Sequence, residues 1–270
     1  MHLGGKIIIV TGAANGMGRE LTKQLVVENA TVIAVDINQA ELEKTVELCQ
    51  GKPGKVIPFN VDIAHEHSVN SFIEEAIATT GHIDVLINNA GIIQPFKKVA
   101  ESDLATLRKV FDVNLFGSLH LILATLPHLI LRPKAQIVNV SSMGALVPVP
   151  GQVIYGASKA AVKLMTEGLM SELSNTNISV TQIIPGAVAT DIMRNSGLEN
   201  AETNDTDQAE NSEFQPLPVE TAASLIIKGI VAEQPRVLIG KDVKFLDMFS
   251  RISPLRAARF INNKMQSLLK

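Results

Sequence analysis

The strongest constraint on this chain is an alternation. Short apolar runs at residues 7–10, 31–35, 55–59, 85–87, 137–140, 178–184 and 237–239 alternate with segments of helical spacing at 17–28, 40–49, 68–80, 104–131, 153–174 and 219–233. The first run, Ile7-Ile8-Ile9-Val10, is β-branched throughout, the pattern of a strand buried on both faces. Strands separated by helices pair in parallel through right-handed crossovers. The expected fold is therefore α/β: a single-domain, Rossmann-like, doubly wound parallel sheet with helices on both faces. The chain has 270 residues, 46% of them hydrophobic, so one such domain over residues 1–240 has ample material for a core. Sheets of this kind bind ligands beyond the carboxyl ends of their strands, so motifs that directly follow a strand weigh most.

The first such motif is Thr11-Gly12-Ala13-Ala14-Asn15-Gly16-Met17-Gly18-Arg19. Glycines let a backbone turn sharply and approach a pyrophosphate closely. The helix that follows would aim its free N–H groups and positive dipole end at the phosphates. A glycine-rich turn without a ligand is the plainer reading, but the strand before it and the helix after it favour a phosphate cradle. Asp36 closes the second strand, 18 residues beyond Gly18. A carboxylate there suits the adenosine ribose hydroxyls and would repel a 2′-phosphate. Neither Asn15 nor Ile37 is basic, so NAD is expected in preference to NADP.

Tyr155 and Lys159 are four apart at the start of a helical segment and so share one helix face. A free tyrosine has a pKa near ~10, and a neighbouring ammonium lowers it toward working pH. That pairing suits general acid–base catalysis. Alone, the pair could equally be a helix-start aromatic beside a surface lysine. Other residues gather at the same edge. Ser141 and Ser142 follow the run at 137–140, Asn88-Asn89-Ala90-Gly91 follows the run at 85–87, Asp62 follows the third run, and Asn114 lies in the long segment from 104.

Together these motifs resemble those of the classical short-chain dehydrogenase/reductase family, in type, order and spacing, over most of residues 6–240. The resemblance implies that Gly12, Gly16 and Gly18, with Asn15 and Met17 between them, hold a dinucleotide. It implies that Asp62 and Ile63 flank the adenine, and that Asn89, Ala90 and Gly91 line the cofactor. Pro185, Gly186, Val188 and Thr190 would contact the nicotinamide carboxamide. The family's catalytic serine precedes the tyrosine by thirteen residues, which points to Ser142 over Ser141. The implied tetrad is Asn114, Ser142, Tyr155 and Lys159. In that scheme Ser142 and Tyr155 bind the substrate oxygen and Tyr155 moves its proton. Lys159 lowers the tyrosine pKa and binds the nicotinamide ribose, and Asn114 positions a proton-relaying water. Family members are commonly dimers or tetramers, so a homodimer or homotetramer is expected.

The expected activity is interconversion of a secondary alcohol and a ketone with NAD. Pro148, Val149, Pro150 and Val153 near Ser142, with Ile192 and Met193, suggest a hydrophobic substrate such as a hydroxy-lipid or hydroxysteroid. A 3-oxoacyl-thioester reductase is the alternative, although NADP would be expected there and Asp36 argues against it. A nucleotide-sensing or membrane-attached scaffold on the same fold is a non-enzymatic reading, which the intact Ser142, Tyr155 and Lys159 disfavour.

A net charge of −3 gives no sign of a nucleic-acid partner, and the single cysteine, Cys49, cannot form an internal disulfide. The N-terminal residues lack a signal-like apolar segment, and the apolar stretch at 119–131 is short for a bilayer span. A cytoplasmic location is expected. The scattered histidines, His65 and His67 among them, suggest no metal site. Residues 195–215 carry six acids and no Lys or Arg, and within 190–217 they read as a polar lid over the substrate. Residues 241–270 carry seven basic residues and two acids and read as a basic amphipathic helical extension. Such a helix can pack on its own domain, on another subunit, or on an anionic membrane as a peripheral contact.

Overall fold

A computed structural model describes residues 1–190, 192–196 and 216–265. Seven strands form one parallel sheet in the order β3-β2-β1-β4-β5-β6-β7. They are β1 (Ile7–Thr11), β2 (Thr31–Asp36), β3 (Lys55–Asn60), β4 (Val85–Asn88), β5 (Ala135–Val140), β6 (Ile178–Pro185) and β7 (Arg236–Ile239). The strand order reverses direction between β1 and β4, which opens a crevice at their carboxyl ends. β1 starts partly exposed and is buried from Ile8 onward, and all of β4 and β5 is buried, as the continuous apolar runs required.

The two faces of the sheet carry separate cores. One is covered by α1 (Gly16–Val27), α2 (Gln39–Leu48) and α8 (Val219–Val231), which bring Leu21, Leu25, Leu42, Ala222 and Ile226 against Ile8, Val10 and Val85. The other is covered by α3 (Glu66–Thr80), α5 (Gly117–Leu129) and α6 (Val153–Glu172). Helix α3 shows the cause clearly. Val69, Phe72, Ile73 and Ala76 recur at i, i+3, i+4 and i+7, and all four are buried. Gly81, with φ 79°, ends the helix in the left-handed conformation. Truncating Phe72 to Ala would cost about 3–5 kcal/mol through the cavity left behind.

The segment read as one helix from 104 is composite. It comprises α4 (Leu104–Phe111), a π turn (Asp112–Phe116) and α5. The stretch Leu104–Leu129 is long and apolar enough to cross a membrane by length and composition alone. Here Val110, Asn114, Leu121, Ile122 and Leu129 are buried, and α5 packs on β4, β5 and α3. The stretch is thus a scaffold helix of the sheet. Gly117 lies against Ile63, where a β-carbon would come within 2.7 Å of the Ile63 side chain.

The C-terminal extension is two helices, α9 (Lys241–Ile252) and α10 (Pro254–Met265), following the short α7 (Ile192–Asn195) and then α8 in chain order. Pro254 opens α10, where its missing N–H is tolerated. Their inward residues Leu246, Ala257 and Ile261 form a third small core with Val147, flanked by Met143, Val149, Phe249 and Phe260. Most of the acidic lid segment, and the last five residues of the tail, lie outside the described residues. The stem of the segment is fixed by a parallel bridge between Val188 and Leu217.

At the amino end of the sheet, Asp84 is 1% exposed. It accepts from the Ile7 N–H at 3.0 Å and the Arg132 Nε at 3.0 Å, with Lys6 at 3.4 Å and His82 at 3.3 Å. Burial alone would raise its pKa, but the Ile7 N–H and Arg132 outweigh that and hold the carboxyl below its ordinary value.

Candidate active site

The crevice at the carboxyl edge collects most of the residues singled out above. After β1, the backbone doubles back so tightly that a β-carbon on Gly18 would sit 2.0 Å from the Gly12 carbonyl oxygen. Only glycine permits that approach. Asn15 caps α1 with extended backbone, but its side chain makes no capping hydrogen bond, and the first turn holds no acid. The N–H groups of that turn therefore remain available to an anionic group. Thr190 packs beside Gly16, at 3.5 Å from a β-carbon placed there, so the segment after β6 meets the cradle.

The cradle is braced from β4. The Thr11 hydroxyl accepts from the N–H groups of Asn89 and Ala90, both at 3.0 Å, and the Asn89 Nδ2 donates to the Thr11 carbonyl at 2.8 Å. The buried Asn89 Oδ1 has no partner among the described residues. Asp36 sits at the end of β2 and accepts from the N–H groups of Ala14 and Asn38, both at 3.0 Å. Its carboxylate is thereby fixed beside the cradle with lone pairs to spare. Arg19, the nearest cation in the motif, is turned away and held by Glu41 at 2.7 Å. Asp62 accepts from the Ala64 N–H at 2.9 Å, with Val61 and Ile63 buried on either side. The residues present fit a dinucleotide: an open helix terminus for phosphates, and a placed carboxylate for ribose hydroxyls.

The chemical residues converge on α6. Ser141 is 2% exposed, and its hydroxyl donates to the Lys159 carbonyl at 2.8 Å. Ser142 accepts from the Gly144 N–H at 3.1 Å, and its hydroxyl acts on the Tyr155 phenol to lower its pKa. The two serines are thus differently placed, Ser141 against the backbone of α6 and Ser142 beside Tyr155. The buried Lys159 ammonium donates to the Val140 carbonyl at 3.0 Å and lies 3.0 Å from where a β-carbon on Gly91 would stand. Burial pushes Lys159 down to about 8. Burial also raises Tyr155, against a smaller lowering by Ser142. In this structure burial outweighs the Ser142 contact at Tyr155, and the Lys159 ammonium is held by the Val140 carbonyl.

Asn114 sits fully buried in the π turn. Single π turns inside α-helices occur often at functional sites. Its Oδ1 accepts from the Ile92 N–H at 2.8 Å, and its Nδ2 donates to the Ile92 carbonyl and to Ser158 at 2.9 Å. The side chain therefore ties the turn after β4 to α6. Asn88 does the same deeper down, donating to Asn139 at 2.9 Å, which in turn donates to Thr166 at 3.0 Å.

Two residues escaped the sequence reading. Gln94 is 1% exposed, and its Oε1 accepts from the Tyr155 N–H at 2.9 Å. The Gln152 side chain reciprocates by donating to the Gln94 carbonyl at 2.6 Å. The helix that carries Tyr155 and Lys159 is thus capped from a different loop. The signal was weak: Gln94 stands three residues beyond Gly91 in an otherwise apolar stretch. Asp242 is the second, buried at the start of α9, where it accepts from the Ala187 N–H at 2.7 Å. It pins the turn that carries Pro185, Gly186 and Val188, and nothing local in the sequence marks it.

A short chain dehydrogenase family model matches residues 6–201, which includes the cradle, the Asn-Asn-Ala-Gly turn, Ser142, Tyr155 and Lys159. The chain belongs to the short chain dehydrogenase family. This family member is similar to SadH of Mycobacterium tuberculosis strain H37Rv, named as an oxidoreductase, at 32% identity over 92% of this chain and 91% of the relative. It is 38% identical to the 3-oxoacyl-acyl-carrier-protein reductase FabG of Thermotoga maritima over 70% of this chain and 77% of that one. Among solved structures, a Burkholderia phymatum short chain dehydrogenase/reductase in complex with NAD matches with TM-score 0.79 and 24% identity, covering 98% of this chain and 96% of that one. A Burkholderia cenocepacia short chain dehydrogenase in complex with NADP matches with TM-score 0.78 and 25% identity, covering 97% and 99%. The family supports an oxidoreductase acting on CH–OH donors with a nicotinamide cofactor. Relatives bound to NAD and to NADP both occur.

Proposed function

We propose that this dehydrogenase interconverts a secondary alcohol and a ketone on a hydrophobic substrate, with NAD as its cofactor. The observation that carries the reading is the convergence of Ser142, Tyr155 and Lys159 beside a helix terminus open to phosphate. When bound, the nicotinamide cofactor supplies or accepts the hydride. This chain's own residues do the remaining work. Ser142 holds the substrate oxygen at the mouth of β5. The Tyr155 phenol gives a proton to that oxygen on reduction and takes it on oxidation. Lys159, kept buried against Val140 and Gly91, places a positive charge behind the phenol. Asn114 and Gln94 are positioning residues that fix the start of α6 and the turn facing it. Asp36 is the residue that selects NAD, since a 2′-phosphate beside its carboxylate would be repelled. The partly buried apolar side chains Met143, Val149 and Phe249, which border the small core next to Ser142, support a lipophilic substrate.

The test is a panel of secondary alcohols, hydroxysteroids, hydroxy-lipids and 3-oxoacyl thioesters, run with NAD and NADP and followed by nicotinamide absorbance. Turnover of apolar alcohols with NAD supports the reading. Turnover confined to 3-oxoacyl thioesters with NADP would establish the alternative that the likeness to FabG favours. We also propose self-association through the outer sides of α4, α5 and α6, where Leu104, Phe116, Leu123 and Leu164 are exposed. Leu164→Glu should then lower the solution mass measured by light scattering.

A further inference from the structure

The two C-terminal helices present two chemically different faces. The inner face, with Val243, Leu246, Ala257 and Ile261, is buried. Both acids of the tail are also drawn inward. Asp242 holds the Ala187 N–H, and Asp247 binds Arg236 through paired bonds of 2.6 and 2.7 Å. What remains outside is apolar and cationic. Phe245, Met248 and Ile252 lie at i, i+3 and i+7 along α9 and are 41%, 59% and 77% exposed. Leu255, 76% exposed, continues that stripe across the Ser253-Pro254 junction into α10. Lys241, Lys244, Arg251, Arg256 and Arg259 surround it and are all exposed. Arg251 also pairs with Asp247 at 3.2 Å, yet remains 64% exposed. Residues 241–265 thus expose no carboxylate.

Charge is distributed along the chain in the same sense. The tail carries +5 and the whole chain −3, which leaves −8 on residues 1–240. A second copy of this chain would therefore meet the tail with a mixed surface, whereas an anionic bilayer offers uniform negative charge and an apolar interior. Bulky apolar side chains ringed by Lys and Arg are the pattern of an interfacial helix. We propose that the α9–α10 hairpin docks on an anionic lipid surface, with Met248, Ile252 and Leu255 inserted and the basic residues at the headgroups. Docking would not occlude the chemistry, because the opposite face of the same hairpin is the one packed on Met143, Val147 and Val149, next to Ser142. This proposal stands independently of which substrate the site takes.

The test is flotation of the full-length protein with vesicles of phosphatidylcholine alone and of phosphatidylcholine with phosphatidylserine. The expected result is binding only to the phosphatidylserine vesicles, weakened by high salt. The double variant Ile252→Glu, Leu255→Glu should reduce the bound fraction by roughly tenfold or more. Its melting temperature and its turnover of a soluble substrate should be unchanged, since both positions are exposed and outside the site. Failure of the wild type to float with phosphatidylserine vesicles at low salt would overturn the proposal, as would equal flotation of the variant. A variant that instead drops in solution mass assigns the face to a second copy and also overturns it.

Discussion

The two ends of one sheet treat buried charge in opposite ways. At the amino end, Asp84 is buried and met by a backbone N–H, a guanidinium, an ammonium and an imidazole. At the carboxyl end, Lys159 is also buried, but among the described residues its ammonium donates to one carbonyl, that of Val140, and burial raises the pKa of the Tyr155 phenol on the same helix. The first arrangement stabilises the fold. The second withholds compensation, leaving a cation whose interactions can still be improved by a charged or hydroxyl-bearing ligand. An unpaired buried charge is costly, and such sites concentrate where function is carried.

The sharpest way to break the comparison is at the phenol. Tyr155→Phe should lower turnover by about 10²–10⁴-fold while leaving the melting curve intact, as read by nicotinamide absorbance and calorimetry. Turnover near wild type would remove Tyr155 from the chemistry. The next effect concerns Lys159. Burial holds its folded pKa at about 8, below the ordinary lysine value of 10.5. The folded state therefore sheds the proton first, and the penalty of burying the charge is present in full below pH 8. Stability should rise between pH 8 and 10.5, by roughly 3 kcal/mol at most. Lys159→Met should be the more stable protein at pH 7 and should lack that alkaline gain, in urea titrations at both pH values, while losing turnover.

Asp84 should behave in the reverse sense. Its folded pKa is depressed, so its contribution is present above the unfolded value and is lost as pH falls through the folded one. Asp84→Asn should cost about 2–3 kcal/mol at pH 7, since its cationic partners are partly exposed. It should flatten the acid limb of the stability curve and leave kcat unchanged. The smallest expected effect is at Gln94. Gln94→Met removes the acceptor that caps α6 and should cost about 1 kcal/mol of stability and lower kcat more than it changes KM. Gln94→Glu keeps the acceptor and should restore most of kcat. If both variants lower kcat alike, the capping role is wrong.

Residues close in sequence or at a fixed offset from a strand are legible in the sequence itself. The apolar runs matched six of the seven strands to within one residue at either end and β5 to within two, because the central strands, buried on both faces, admit little else. The Gly12 to Gly18 turn, Asp36, and the Tyr155–Lys159 face follow from strand, turn and helix geometry that a few adjacent residues impose. Helix ends were less legible: the segment from 104 contains a π turn, where Asn114 bonds Ile92 and Ser158 from distant parts of the chain, and it closes at Leu129.

What the chain's order of residues determined, then, was the sheet, its switch point and the identity of the groups at its carboxyl edge. Tertiary structure alone decided how those groups are held. It spent Ser141 on the Lys159 carbonyl, brought Gln94 to the Tyr155 N–H across 61 residues, and turned Asp242 and Asp247 inward so that the tail's outer face is cationic. The tyrosine's raised pKa belongs to the same class. Spacing places an ammonium one helical turn away, but whether it lowers the phenol depends on which oxygen that ammonium binds and how much water surrounds the pair. Those are properties of long-range packing, which no local pattern encodes.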